Sequence, residues 1–166
     1  MKREIYVGRV GIGGTHHVSI QSMTNTPAGD VAGTLKQIGR LQTAGCDIVR
    51  IAVPARDTLA AFGQIVARSP LPVIADIHFD AALALGALER GAHAIRINPG
   101  NIGDNKKLKA VIRLAAQKNV PIRIGVNAGS LEKKYRRRGL TTAEAMVGSL
   151  LDKVRFFEDQ GFLDLK

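Results

Sequence analysis

The sequence has one cysteine and no tryptophan, and aromatic residues make up only 4% of it. A lone cysteine, Cys46, cannot form an internal disulfide or supply a multi-thiolate metal site, which agrees with a reducing compartment. Its position between a helical pattern and an apolar strand favours a packing role. The net charge of +10 would suggest nucleic-acid binding, but no motif interleaves stacking aromatics with the basic residues. We therefore expect no nucleic-acid partner.

Long hydrophobic runs are also absent. No apolar stretch approaches the roughly 20 residues of a transmembrane helix. The N-terminus lacks the basic, apolar and small-residue order of a signal peptide. With 166 residues, 45% of them hydrophobic, the sequence predicts one soluble domain in the cytoplasm with no membrane partner.

What is present is a regular alternation of helical and β patterns. Apolar residues recur at helical spacing after Asp30, Asp57, Asp80 and Asp104, and a further helix is predicted at 142–160. Strands are predicted at 18–22, 48–53, 73–78, 94–98 and 122–127, after a hairpin within 5–14. These elements make five βα units, which implies a parallel sheet with right-handed crossovers.

The placement of polar residues distinguishes a barrel from a doubly wound sheet. No GxGxxG or Walker sequence follows a strand, and Gly11, Gly13 and Gly14 fall within the hairpin, where they suit turns. Polar groups instead end every strand, as in a TIM barrel. We predict an α/β fold of the parallel (β/α) TIM-barrel type, incomplete, with about five βα units plus the N-terminal hairpin.

Length bears on this prediction. A complete barrel takes about 250 residues, whereas this sequence reaches only the apparent start of a sixth strand at 162–166. We therefore expect residues 1–166 to form a partial substrate-binding barrel, truncated before the later strands.

Charged and polar side chains lie within or just after the apolar strand runs. They are Arg50, Asp76, His78, Arg96, Asn98, Arg123 and Asn127. Each unpartnered buried charge costs several kcal/mol, so their recurrence calls for a shared explanation. Strand residues two or four apart face the same way, which groups these residues near the carboxyl ends of the strands. Because arginine binds phosphoryl oxygens through two parallel hydrogen bonds, the pattern predicts a site for a phosphorylated anion.

Alternative roles remain open for several residues. An arginine such as Arg50 can pair with a strand acid and only brace the barrel. Asp76 can orient an arginine, accept from a ligand hydroxyl or carry a proton, and His78 can be a core histidine or part of the site. We predict catalytic roles for Asp76 and His78, and no metal site, because no third ligand at usable spacing accompanies them.

Loops extend the candidate site. Segments 98–103 and 127–130 offer glycine-supported backbone N–H groups for an anion. The polar residues at 21–26 suit either ligand contact or helix capping, and the basic run at 133–138 suits either a solvated loop or a lid or polyanion contact.

Four motifs, at 21–26, 75–80, 96–103 and 123–132, resemble the 4-hydroxy-3-methylbut-2-enyl diphosphate synthase family of the non-mevalonate isoprenoid pathway. The resemblance implies an oxidoreductase that opens the ring of 2-C-methyl-D-erythritol 2,4-cyclodiphosphate with two electrons and loss of water. It also implies that Asp76 and His78 line the pocket. It assigns substrate binding to the matching positions Arg50, Arg96, Asn98, Arg123 and Asn127.

The resemblance further implies a four-iron four-sulfur cluster in a separate C-terminal domain, held by three cysteines and a glutamate beyond residue 166. Cys46 matches none of these positions. We expect that this chain alone binds no cluster and is inactive, and that the full-length protein is a homodimer that takes electrons from ferredoxin or flavodoxin. The alternative is a non-redox phosphate-binding barrel, similar to a pterin synthase or an aldolase.

Overall fold

A computed structural model describes residues 4–78, 80–98, 102, 104–131, 133–135 and 139–166. The strands are β1 (Ile5–Val7), β2 (Val10–Ile12), β3 (Gln21–Met23), β4 (Ile48–Ala52), β5 (Val73–Ile77), β6 (Ala94–Ile97) and β7 (Ile122–Ile124). The helices are α1 (Val31–Thr43), α2 (Leu59–Arg68), α3 (Ala81–Glu89), α4 (Asn105–Gln117) and α5 (Thr142–Glu158). None of the helices in this part of the chain is long and apolar enough to cross a membrane.

The main sheet is parallel, with strand order β3-β4-β5-β6-β7, and a helix follows each of its strands. The β1–β2 hairpin is a separate antiparallel ribbon. After α5 the chain pairs with β7: Leu165 forms a parallel bridge to Ile122, and the N–H of Ile124 donates to the carbonyl of Lys166 at 2.9 Å. The five βα units, the hairpin and the start of a further strand are confirmed.

Several element boundaries differ from those predicted. The first sheet strand is Gln21–Met23 rather than 18–22, and Val18 is 91% exposed. The N–H of Ile20 donates to the Asp47 side chain at 2.8 Å instead of to a strand. β7 ends at Ile124, three residues before the predicted end. The predicted run 122–127 thus overestimates β7, although the Gly125 N–H still donates to the Ile97 carbonyl at 2.8 Å.

The predicted helix starts are formed by aspartate caps. The side chains of Asp30, Asp80 and Asp104 accept hydrogen bonds from backbone N–H groups of the first helical turns at 2.8, 2.8 and 2.9 Å. These bonds satisfy donors that have no partner inside the helix. Asp57 differs, because it lies in a 3₁₀ turn at Arg56–Thr58, and α2 begins after it at Leu59.

The two faces of the sheet have different partners. On the outer face Val49, Ile95 and Ile122 belong to the core that the helices cover. On the inner face Ile48, Ile74 and Ala94 pack against Val7 of the hairpin. The hairpin therefore covers the inner face with apolar side chains at the amino ends of the strands. Asp76, Arg96 and Arg123 lie on this face nearer the carboxyl ends of their strands.

His93 lies between the hairpin and the sheet and gives the fold a predicted pH dependence. The N–H of Val73 donates to its Nδ1 at 3.1 Å, and burial lowers the pKa of His93 below its usual 6.5. The unfolded chain therefore binds a proton here at a higher pH than the folded chain. The contribution of His93 is intact above pH 6.5 and is lost as the pH falls below that value.

Replacing His93 by Asn, which keeps an acceptor for Val73, is expected to flatten the pH dependence of stability below pH 6.5. One proton corresponds to a slope of at most about 1.4 kcal/mol per pH unit. Urea unfolding of both proteins at several pH values between about 5 and 8 measures how the free energy of unfolding changes with pH. Equal slopes in the two proteins would show that His93 is not the titrating group.

Candidate anion-binding site at the carboxyl ends of the strands

Strand register brings the predicted charges together. Ala52, Asp76, Arg96 and Arg123 are paired in succession across β4, β5, β6 and β7. We call these four positions the inner row. Paired residues of parallel strands lie side by side on one face of a sheet. Arg50 lies two residues before Ala52 in β4. Its side chain is therefore on the same face of the sheet, two residues closer to the amino end of the strand.

Asp76 is the centre of the site. Its carboxylate is 3.3 Å from Nη1 of Arg96, 3.4 Å from Nε of Arg50 and 3.5 Å from Nε2 of His78. The residue is only 3% exposed. No other acid occurs in strands β3 to β7, so a single strand carboxylate shares this face with three strand arginines and contacts two of them. The inner face therefore has an excess of positive charge, which suits an anionic ligand.

Arg50 also lies against Met23, with Nη2 and Nε at 3.2 and 3.3 Å from the sulfur. A thioether is a weak acceptor, whereas a guanidinium has five N–H donors. Among the described residues, Asp76 is thus the strong acceptor facing Arg50. Met23 and Asp76 hold the guanidinium in place while much of its donor capacity is left for a ligand.

Arg123 has a partner that the sequence did not reveal. Its Nη1 donates to Oε1 of Gln21 at 3.4 Å, although the two residues are 102 positions apart. They belong to β3 and β7, the outermost strands of the sheet. Side chains from these two strands can meet only because the sheet curls toward a barrel. The sequence signal for Gln21 was a polar side chain at the end of the predicted strand 18–22, which suited ligand contact or helix capping and did not point to Arg123.

The remaining polar residues after β3 hold a turn. Asn25 and Gln37 exchange two hydrogen bonds at 2.7 and 3.1 Å, and the hydroxyls of Thr26 and Thr34 are 2.6 Å apart. These contacts fasten the turn to α1. They favour the structural alternative for this segment over direct ligand contact.

The two asparagines lie beyond the strand ends. Asn98 directly follows β6 and is 3% exposed, whereas Asn127 is exposed and lies three residues after β7 ends. Strand alternation therefore does not place Asn127 on the face of Arg123, and its position depends on the 3₁₀ turn at Ala128–Ser130. Residues 99–101 and 103 of the expected N–H loop lie outside the described residues.

The basic run at 133–138 is described only in part, because residues 136–138 lie outside the described residues. Lys134 and Tyr135 both contact the Asp152 carboxylate on α5, and the Tyr135 hydroxyl donates to it at 2.5 Å. Hydrogen bonds from Lys134 and Tyr135 lower the pKa of Asp152. A Cβ added to Gly148 would lie 2.7 Å from the Tyr135 ring. This glycine thus provides the space in which the Tyr135 ring packs on α5.

A cavity of about 320 Å³ opens beside the charged cluster. Its wall includes Asp76 and His78 and the segment 52–56 that follows β4. The volume lies at the lower end of the range for small-molecule sites, about 300–1,000 Å³. A small ligand therefore has room at the carboxyl ends of β4 and β5, where Arg56 is the arginine of the cavity wall and the three strand arginines lie outside it.

Gly125 lies directly beneath the Arg96 guanidinium. A Cβ added there would be 2.4 Å from Nη2 of Arg96, and the Gly125 N–H donates to the Ile97 carbonyl at 2.8 Å. The backbone is therefore fixed, and the arginine would have to move. A Cβ at this position would therefore force the Arg96 guanidinium to shift.

Replacing Gly125 by Ala is expected to weaken diphosphate binding about tenfold, the loss of roughly one charge-assisted hydrogen bond. Isothermal titration of the protein at its full natural length with pyrophosphate measures this. Gly39→Ala is the matched control, because no atom lies within 4 Å of the added Cβ in α1. Unchanged affinity in the Gly125 variant would mean that Arg96 binds no ligand.

The donor set does not fit an iron–sulfur cluster. Such clusters are held by several cysteine thiolates, and the sequence has one cysteine. Cys46 is buried, and its thiol donates to the Ile48 carbonyl at 3.1 Å, as a packing residue does. The described residues contain no group of three or more His, Cys, Asp or Glu side chains placed to hold a metal ion.

Relatives with known names match nearly the whole chain. A protein from Clostridium perfringens is 52% identical over 164 residues, which cover 98% of this chain and 47% of that protein. A Geobacter sulfurreducens protein is 52% identical over 165 residues, covering 99% and 47%. Both are named 4-hydroxy-3-methylbut-2-en-1-yl diphosphate synthase (flavodoxin). The chain spans about half the length of the curated relatives it matches.

Solved structures with low sequence identity share the fold. The dihydropteroate synthase of Yersinia pestis has a TM-score of 0.69 at 12% identity, with 98% of this chain and 60% of that chain covered. The enzyme of Vibrio fischeri gives 0.68 at 15%, with 98% and 64% covered. The family model described as GcpE TIM-barrel domain matches residues 2–166. With its parallel five-stranded sheet, hairpin and inner row of charges, the chain belongs to the GcpE TIM-barrel domain family.

Proposed function

We propose that this chain is the substrate-binding barrel of a synthase that converts 2-C-methyl-D-erythritol 2,4-cyclodiphosphate to 4-hydroxy-3-methylbut-2-enyl diphosphate. The observation that carries the proposal is that Arg50, Arg96 and Arg123 share one face of the sheet with a single strand carboxylate, Asp76. Asp76 contacts Arg50 and Arg96, and Arg123 is paired with Arg96. The names of relatives about 50% identical to the chain support the choice of reaction.

The arginines bind the diphosphate. A guanidinium matches two phosphoryl oxygens at once, and Asp76 holds two of the guanidiniums in fixed orientations before the ligand arrives. Arg96 is largely buried, with 17% of its side chain exposed, so water screens its charge less than that of a surface arginine. Asn98 and Asn127 follow the neighbouring strands and hold ligand hydroxyls.

Asp76 and His78 handle protons. The loss of a hydroxyl as water requires a proton, and an imidazole N–H can donate one. The Asp76 carboxylate lies 3.5 Å from Nε2 of His78 and orients the ring toward the cavity that both residues line. His78 is the more exposed of the two and contacts the ligand's carbon skeleton and hydroxyls.

The electrons come from outside this set of residues. Since the donors here do not fit a cluster, the chain's own part is binding, orientation and proton transfer. The relatives' names include flavodoxin, which we propose as the electron donor. We expect no turnover from these 166 residues alone, and a cytoplasmic homodimer at full natural length.

The test is turnover by the protein at its full natural length under anaerobic conditions. With reduced flavodoxin and the cyclodiphosphate, mass spectrometry is expected to detect the linear hydroxymethylbutenyl diphosphate. A parallel assay offers a pterin diphosphate and an arylamine, the substrates of a non-redox condensing barrel. Condensation without ring opening would overturn the proposal in favour of that alternative.

A further inference from the structure

Helix α4 carries positive charges where a helix favours negative ones. Its first five residues include Lys106, Lys107 and Lys109, and no acidic residue occurs anywhere in the helix. The amino end of a helix has a partial positive charge, so cations there are destabilising. Helix α5 follows the ordinary rule, since Glu144 lies in its first turn. The charge pattern of α4 therefore opposes helix stability.

Three of the cations lie together on the outward face of α4. Lys106, Lys109 and Arg113 are spaced three and four residues apart, and all three are exposed. Side chains at this spacing are neighbours on a helix surface, where like charges repel each other. We call these three residues the basic stripe. The other face of the helix is buried in the core through Leu108, Val111, Ile112 and Ala115.

No acid neutralises the basic stripe within the part of the chain that the structure describes. Exposed cations elsewhere do have acidic partners: Arg56 pairs with Asp80, and Arg155 pairs with Asp152. Natural sequences break the local rules of stability mainly at functional sites. The basic stripe breaks two such rules at once, which indicates a role in binding an anionic partner.

The basic stripe begins at the rim of the candidate site. Because a helix that follows a parallel strand starts where the strand ends, the amino end of α4 lies at the edge of the sheet to which the carboxyl ends of the strands point. With a rise of about 1.5 Å per residue, the stripe extends only about 12 Å from this rim. Helix α4 packs against α3 on one side and shares a cleft with α5 on the other. The stripe is therefore on the outer surface of the helical layer.

The chemistry of α4 favours an acidic protein among the possible anionic partners. Single-stranded nucleic acid is bound with aromatic side chains on which bases stack, and α4 has none. A helix that lies on a membrane inserts its apolar face, whereas that face of α4 is buried in the core. An acidic protein surface requires only matching charges. The names of the relatives include such a protein partner, flavodoxin.

We propose that the basic stripe is the docking surface for the electron-donor protein, which presents acidic side chains to Lys106, Lys109 and Arg113. The inference rests on the proposed function, because it takes the reaction to be reductive and flavodoxin to be the donor. Opposite charges on the two surfaces raise the rate of association and orient the partners. Docking at the rim brings the donor close to the site at which the substrate is reduced.

The test is ring opening by the protein at its full natural length with two reductants, reduced flavodoxin and reduced methyl viologen, a small cation that needs no docking surface. Lys109→Glu is expected to raise the KM for flavodoxin about fivefold and to leave the rate with methyl viologen unchanged. Lys36→Glu is the matched control and leaves both unchanged. Each substitution changes the net charge equally and places a glutamate four residues before an arginine, Arg113 in α4 and Arg40 in α1.

A double variant, Lys106→Glu with Lys109→Glu, separates docking from folding. We expect the KM for flavodoxin to rise about 20-fold and its dependence on salt to weaken. The melting temperature is expected to equal or exceed that of the wild-type protein, because the acids now complement the amino end of α4. A loss of flavodoxin activity in a fully folded variant therefore reports on docking.

An unchanged KM for flavodoxin in the double variant would overturn the docking surface and leave the proposed function intact. If that variant instead lost binding to anionic phospholipid vesicles or to single-stranded RNA, the basic stripe would belong to that partner. No ring opening by the wild-type protein with either reductant would overturn the proposed function itself.

Discussion

Replacing Asp76 by Asn is expected to lower the free energy of unfolding by about 3 kcal/mol, because it removes the one carboxylate that faces two strand arginines. Asparagine keeps the shape and removes the charge. The side chains of Arg50 and Arg96 are 26% and 17% exposed, so water compensates only part of the loss. Urea unfolding of the protein at its full natural length measures the change.

Pyrophosphate adds a second expected result. If Arg50 and Arg96 are left without their carboxylate, an added anion stabilises the variant more than the wild-type protein. A ligand present at 100 times its dissociation constant adds about 2.7 kcal/mol to the free energy of unfolding. This gain would restore most of the stability that the Asp76 variant has lost. Asp57→Asn, at an exposed position in a 3₁₀ turn, is the control and is expected to change stability by less than about 0.5 kcal/mol. An Asp76 variant as stable as wild type, with the same response to pyrophosphate, would refute the central role of this carboxylate.

Replacing Arg96 by Leu is expected to weaken cyclodiphosphate binding about 100-fold. The substitution removes two charge-assisted hydrogen bonds, each worth about 1.5–3 kcal/mol before compensation. It also removes a cation 3.3 Å from Asp76, so the carboxylate then repels the ligand. Titration calorimetry of the protein at its full natural length provides the measurement.

Two further variants define what the ligand requires of Arg96. Arg96→Lys keeps the positive charge but loses the planar guanidinium that donates two parallel hydrogen bonds. We expect its affinity for the cyclodiphosphate to be about tenfold below that of the wild-type protein. Arg113→Leu, on the exposed side of α4, removes the same side chain away from the site and is expected to bind normally. An equal loss in Arg113→Leu would mean that net charge, rather than the geometry of the inner row, governs affinity.

Much of the fold was predictable because its signals are local. Asp30, Asp80 and Asp104 each cap a helix within three residues of themselves, and the apolar stripes that follow have helical spacing. The ends of β3 and β7 were not predictable. A strand ends where its neighbour stops offering backbone partners, and that neighbour is more than 20 residues away along the chain.

The candidate site was likewise predictable from the sequence only in part. The sequence determined the residue types and the face they share: Arg50, Asp76, Arg96 and Arg123 alternate with outward apolar residues, and parallel strands bring their carboxyl ends to one edge. Only the tertiary structure decided the partners. Register set Arg96 beside Asp76, sheet curvature brought Gln21 to Arg123, and strand pairing after α5 placed Lys166 beside Arg123. Alternation is a property of each strand by itself, whereas register and curvature arise only from packing strands far apart in sequence.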